Sequence, residues 1–398
     1  MVSKKMLALG QTRSCIRELF EYGLRQAAFI GAENVFDYSL GNPSIPSPEG
    51  VNRAIIDTLE NESPLAVHGY TSAAGYDGVR AAVANDLTSR FGMEIKASNL
   101  FFTCGAAPAL CAVLKALSTD DSEVIAIAPF FPEYRPFIEC SGNKFVMVPP
   151  DLGSFQINFE ALLSLVNERT QAIIINSPNN PSGVVYTAET LKKLGVLLEK
   201  KSAEFGHPIY IISDEPYREL VYGGVTVPFV PSIYKNTIIC YSYSKSLSLP
   251  GERIGYVCIP DCVEDSDLVF AAVAGAARVE GHVCPPSLLQ RTIAKCTALR
   301  PDLEAYDRNR RLLLENLTEY GYKVAKPDGA FYLFIEAPGR NSQEFSERAK
   351  AKNLLVVPGD DFGCPEYFRI CYCIDYDKIN RSLKVFKELI EEYSSQNK

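Results

Sequence analysis

The sequence predicts an α/β protein whose main sheet is mostly parallel and covered by helices on both sides, with a smaller α+β part beyond it. Three observations carry this. Residues 124–128, 172–175 and 209–213 are apolar at nearly every position, as strands buried on both faces are. Stretches long enough for a helix separate these runs, the alternation that a parallel sheet requires. After Gly321 the pattern changes to short strands and helices, which places a second, smaller unit at the end of the chain.

The elements follow in order. Residues 14–32 have helical spacing, with Ile16, Phe20, Leu24, Ala27 and Ala28 near one face. Residues 36–40 read as a short strand broken by Gly41-Asn42-Pro43, and Pro43, Pro46 and Pro48 keep the next stretch extended. A strand at 101–103 runs into Gly105 and an apolar helix at 108–117. Strands at 238–241 and 254–259 join the three above. Helical patterns cover 263–277 and 286–319, and Pro301 must kink or split the second. Beyond Gly321, strands are expected at 330–335, 354–357 and 367–373, with helices at 342–351 and 377–393.

Composition narrows the function. The chain has 398 residues, 47% of them hydrophobic and 22% charged, the balance of a globular enzyme with two domains. A net charge of -8 without a basic block argues against a nucleic-acid partner. No apolar run is long enough to cross a bilayer, and the start lacks a long apolar signal region, so the expected location is the cytoplasm. The twelve cysteines are scattered, and reduced buried thiols are the expectation. Cys371 and Cys373 share a face if they lie on a strand. His68, His207 and His282 show no metal-ligand spacing, and no metal is expected.

The most informative segment is Ser242-Tyr243-Ser244-Lys245, followed by Gly251-Glu252-Arg253-Ile254-Gly255. A lysine amine among hydroxyls can form a Schiff base with an aldehyde cofactor, and serines with an arginine can hold its phosphate. That chemistry points to pyridoxal 5′-phosphate (PLP). Ligands of open α/β sheets bind outside the carboxyl ends of the strands, and the residues at those ends agree. They are Gly105-Ala106-Ala107, Phe130-Phe131, the turn Asn176-Ser177-Pro178-Asn179-Asn180-Pro181-Ser182-Gly183, and Asp214-Glu215-Pro216-Tyr217. Each has a plainer reading alone: Asp214 as a helix cap, the Asn-Pro stretch as a turn, Phe131 as core. Their joint order after successive strands favours the site.

These motifs resemble the fold-type I PLP-dependent aminotransferases, in particular the aspartate/aromatic aminotransferase group of classes I and II. The resemblance spans about residues 39–373. It implies a seven-stranded, mostly parallel sheet in a large PLP-binding domain over 49–300, and a small domain made of 1–48 and 301–398. Lys245 would be the Schiff-base lysine, Asp214 the partner of the pyridine nitrogen, and Asn180 and Tyr217 the partners of the ring hydroxyl. Ser242, Ser244, Arg253 and the backbone of Gly105, Ala106 and Ala107 would hold the phosphate, and Phe131 would lie on the ring. Arg369 would grip the substrate α-carboxylate, with Asn180 and the Gly41 backbone also touching substrate. Tyr70 resembles the tyrosine that reaches the phosphate of the other subunit, which implies a homodimer. The implied reaction passes an amino group from an L-amino acid to a 2-oxo acid. A PLP-dependent C–S β-lyase remains the alternative. The chain departs from the family in having no tryptophan, in the alanines at 106 and 107, and in lacking an identifiable partner for a distal carboxylate.

Overall fold

The computed structural model describes residues 1–11 and 14–396. Its strands, in chain order, are β1 (Phe36–Asp37), β2 (Leu100–Thr103), β3 (Glu123–Ile127), β4 (Lys144–Val148), β5 (Thr170–Asn176) and β6 (Tyr210–Asp214). They continue with β7 (Thr237–Ser242), β8 (Gly255–Cys258), β9 (Tyr332–Glu336), β10 (Leu354–Leu355), β11 (Val357–Pro358) and β12 (Tyr367–Cys371). The main sheet has the order β2-β8-β7-β6-β5-β3-β4. β8 runs antiparallel to both neighbours, and every other pairing is parallel. This is the expected α/β fold of seven strands.

The apolar runs are explained by the layers on either side. Ile174, Ile212 and Ala126 face a core shared with Leu110 and Val113 of the Ala106–Ala116 helix and Val273 of the Ser266–Val279 helix. Their alternating neighbours Ile125, Ile173, Ile175 and Ile211 pack on Leu191, Leu194 and Leu198 of the Ala188–Phe205 helix. Both faces are dry, so both side-chain parities must be apolar.

The C-terminal part holds the antiparallel sheet β11-β12-β9. β1 pairs in parallel with β10, which stitches the N-terminal segment to that part. Its core is strongly aromatic, with Tyr38, Phe331, Phe345, Phe368 and Phe386 all buried.

Several boundaries differ from expectation. The strand at 36–40 shrinks to β1, because Ser39 turns back to bond Asp37 through its amide and hydroxyl. The segment 354–357 becomes two strands in two sheets. The long helical pattern splits into Ser287–Cys296 and Leu303–Glu319 around Pro301. β4 escapes a reading of apolar runs: it is the sheet edge, where Lys144 and Met147 are exposed and only Val148 is buried. The Cys15–Ile30 helix buries Leu19 and Gly23 rather than Leu24 and Ala28, which are exposed. Gly23 lies so close to Leu355 that an added Cβ would sit 2.8 Å from its Cδ1.

Candidate active site

The carboxyl ends of β5, β6 and β7 open on a cavity of about 190 Å³. β6 ends in Asp214 and β7 in Ser242, and the turn Tyr243–Ser246 carries Lys245. Phe131, Asn180 and Tyr217 share the lining with these residues, as do Ala106, Ala107, Ser244 and Arg253. Ten of the residues expected around the cofactor therefore meet in one place. The topology explains this: parallel strands present all their carboxyl ends on one edge.

Asp214 is held from two sides. Its Oδ2 accepts a hydrogen bond from the Tyr134 hydroxyl at 2.5 Å, and its backbone carbonyl accepts one from Asn176 Nδ2 at 2.8 Å. Asn176 Oδ1 also accepts from the Asn180 amide at 2.7 Å, so one asparagine ties two strand ends together. Asp214 Oδ1 is buried and has no partner within the chain. Burial raises the Asp214 carboxyl to about 7, against the lowering effect of the Tyr134 bond. A second buried acceptor without compensation is costly, so Oδ1 awaits a donor or a cation.

At the other end of the cavity, the backbone comes close because side chains are missing. Gly105 has φ +100°, and a Cβ there would fall 2.7 Å from Arg253 Nη2. A Cβ on Gly255 would fall 2.9 Å from the Gly105 Cα. The Ala106–Ala116 helix starts at this point, and the first amides of a helix have no internal partner. Ser242 Oγ donates to Ser244 Oγ at 2.8 Å, and Arg253 Nη1 donates to Ser244 Oγ at 3.3 Å. Two hydroxyls, a guanidinium and free amides make an anion cradle. The two alanines contribute backbone only.

Lys245 Nζ donates to the Gly41 carbonyl at 2.5 Å and lies 5.4 Å from the Phe331 ring centroid. Burial lowers its pKa most; Cys373 and Cys371 oppose this, while Arg369 and Arg253 add to it. Burial thus outranks the neighbouring arginines as the cause.

Arg369 sits on β12 and is only 1% exposed, not an exposed strand arginine. Nη1 donates to Asn180 Oδ1 at 2.9 Å and Nη2 to the Ser39 carbonyl at 2.5 Å, while Nε has no partner. Its guanidinium lies 4.6 Å from the Tyr332 ring centroid. The Tyr332 hydroxyl in turn pairs with that of Tyr217 at 2.8 Å. Burial pushes the Tyr217 phenol upward.

Tyr70 is 90% exposed and lies outside this cavity, beside Tyr76 and Arg291. Sequence reasoning missed Tyr134, Tyr332 and the role of Asn176. Asn176 stood in the quoted turn and could have been found there. Tyr134 and Tyr332 carried no motif signal of their own.

With this geometry in view, the comparisons agree. Residues 33–386 match the family Aminotransferase class I and II, and the chain belongs to it. It is similar to aromatic-amino-acid aminotransferase 2 of Thermococcus litoralis, 29% identical over 95% of each chain. The aspartate aminotransferase of Bacillus subtilis is 30% identical over 91% of this chain and 92% of its own. A solved amino transferase from Eubacterium rectale superposes with TM-score 0.97 at 52% identity, covering 99% of each chain. Aspartate aminotransferase from Thermus thermophilus with maleate gives TM-score 0.86 at 25% identity, covering 98% and 99%. The protein is a PLP-dependent aminotransferase of fold type I, and the β-lyase alternative is not favoured. The residues fit the cofactor: a buried acid with one partnerless oxygen, a part-buried amine and an anion cradle meet at the same cavity. No helix among the described residues is long and apolar enough to cross a membrane.

Proposed function

We propose that the Lys245 cavity is where this aminotransferase exchanges an amino group between an L-amino acid and a 2-oxo acid. The observation that carries this is Asp214: its Oδ1 is buried without a partner on a cavity that Lys245 also lines. PLP bound there supplies an electron sink for the pair left when the substrate Cα loses its proton.

The chain's own residues do the rest. Asp214, ionised, holds a proton on the ring nitrogen, since an opposite charge nearby favours the cation. Asn180 and Tyr217 donate to the ring hydroxyl. Ser242, Ser244, Arg253 and the amides from Gly105 to Ala107 hold the phosphate, and Phe131 covers the ring face. Lys245, once freed, carries the proton from Cα; burial keeps its amine in reach of the neutral form that accepts one. Arg369 offers two parallel N–H groups to the α-carboxylate, with the Gly41 backbone and Asn180 alongside, fixing which Cα bond meets the ring.

We assign residues 49–300 to the PLP-binding domain and 1–48 with 301–398 to the small domain; the β1–β10 pairing supports this. The enzyme acts as a cytoplasmic homodimer in which Tyr70 reaches the phosphate in the other subunit. The exposure of Tyr70 and the free state of the cysteines support this reading.

The test is to mix the cofactor-loaded enzyme with a panel of L-amino acids and no oxo acid. Transamination converts the absorbance to that of the amine form of the cofactor, and an added 2-oxo acid restores it. Release of ammonia and pyruvate instead would overturn the proposal.

A further inference from the structure

Two groups beside Lys245 have no part in amino transfer. Cys371 ends β12, and Cys373 follows two residues on. Their sulfurs are 2.8 Å apart, and both side chains are buried as free thiols. The backbone holds them there. The Cys371 amide donates to the Tyr38 carbonyl at 3.0 Å. The Tyr372 amide donates to the Phe331 carbonyl at 2.9 Å, and the Tyr372 carbonyl accepts from Asn309 Nδ2 at 3.0 Å. The backbone between the two thiols is thus fixed on both sides. Both thiols act electrostatically on the Lys245 amine, ahead of either arginine. Arg369 lies two residues before Cys371 on the same strand.

We propose that Cys371 and Cys373, at the end of the strand that carries Arg369, form a covalent modification site, a dithiol that a small hydroperoxide converts reversibly to a disulfide. The Cys371 thiolate attacks one peroxide oxygen; the S–O bond forms, the O–O bond breaks, and the departing oxygen leaves as water or alcohol. The Cys373 sulfur then attacks the Cys371 sulfenic acid. The S–S bond forms, the S–O bond breaks, and the hydroxyl leaves with the Cys373 proton as water. The two thiols together give two electrons to one peroxide. Burial alone would raise the Cys371 thiol, but the Cys373 thiol and the Arg369 charge outweigh it, so Cys371 attacks first. The new bond locks the backbone next to Arg369, and turnover stops until a dithiol reductant reopens it.

The test uses the intact holoenzyme, treated with hydrogen peroxide and then denatured and alkylated with N-ethylmaleimide. Peptide mass mapping is expected to show Cys371 and Cys373 unlabelled and joined, lighter by two hydrogen atoms. Activity is expected to be lost in step and to return with dithiothreitol. In Cys371→Ala, which lacks the attacking thiol, the reversible phase should disappear. Cys371 and Cys373 both alkylated after inactivation, a joined form that turns over as fast as the reduced enzyme, or a reversible phase persisting in Cys371→Ala would each overturn the proposal. The mass readout stands whether or not the substrate assignment does.

Discussion

The Tyr134 hydroxyl donates to Asp214 Oδ2 at 2.5 Å, and it leaves the other carboxylate oxygen free on the cavity. Burial drives the Asp214 carboxyl up to about 7, and Tyr134 works against that rise. In its proposed role Asp214 must be charged to hold a ring proton, and that charge is favoured by the Tyr134 phenol.

Tyr134→Phe keeps the ring that packs edge-on against Phe131 and removes only the donor. A hydrogen bond to a charged acceptor is worth about 1.5–3 kcal/mol, or about one to two pH units. The pH dependence of PLP affinity should therefore move to higher pH by about that amount. An unshifted profile in this variant would remove Tyr134 from the mechanism.

The same carboxyl makes the stability of the apoprotein depend on pH. Its ordinary value is 3.8 and its folded value about 7. Between these values the folded state holds a proton that the unfolded chain releases, so stability falls as pH rises through the window and levels off above it. Asp214→Asn should abolish that fall, a difference of a few kcal/mol across the window by this linkage. Urea unfolding of both apoproteins at several pH values measures it.

Arg369→Lys replaces a fork with a point charge. One ammonium cannot serve Asn180 Oδ1, the Ser39 carbonyl and a carboxylate in the same plane. Loss of one charge-assisted bond of about 2–3 kcal/mol lowers kcat/KM roughly a hundredfold. Steady-state kinetics with the best amino acid tests this, and KM should carry most of the effect.

Lys245→Ala should abolish the absorbance of the lysine-linked cofactor while circular dichroism stays native. The Gly41 carbonyl, which accepts the amine's hydrogen bond at 2.5 Å, is left to water. A retained lysine-type absorbance would move the attachment to another residue.

Tyr70→Phe should weaken PLP retention, read as faster cofactor loss on dialysis. Mixing it with Lys245→Ala subunits tests the cross-subunit placement. Mixed dimers should keep one complete site, pairing Lys245 of one copy with Tyr70 of the other. Failure to restore any activity on mixing would sink that placement.

The site was legible where chemistry sits at the end of an apolar run. Asp214 and Ser242 end, and Asn180 follows, a strand that is apolar through its middle, so the break in hydrophobicity marks the carboxyl edge. Tyr134 and Tyr332 were invisible for the opposite reason. They are aromatic residues among aromatic residues, and only the fold shows that one hydroxyl meets Asp214 and the other Tyr217. The buried face of the Cys15–Ile30 helix was misjudged because its closest contact is made by Gly23, which no hydrophobic pattern can mark. β4 was hidden because an edge strand shows one face to water.

Gly105 and Gly255 belong to different elements, a helix entrance and a strand start, yet they fill a single gap between two backbones. A carbon added at Gly255 would press on the Gly105 backbone, and one added at Gly105 would press on the Arg253 guanidinium, so either change reaches the anion cradle. Drift at residue 255, which lines no part of the cavity, would be felt as a change in how firmly the protein keeps its coenzyme.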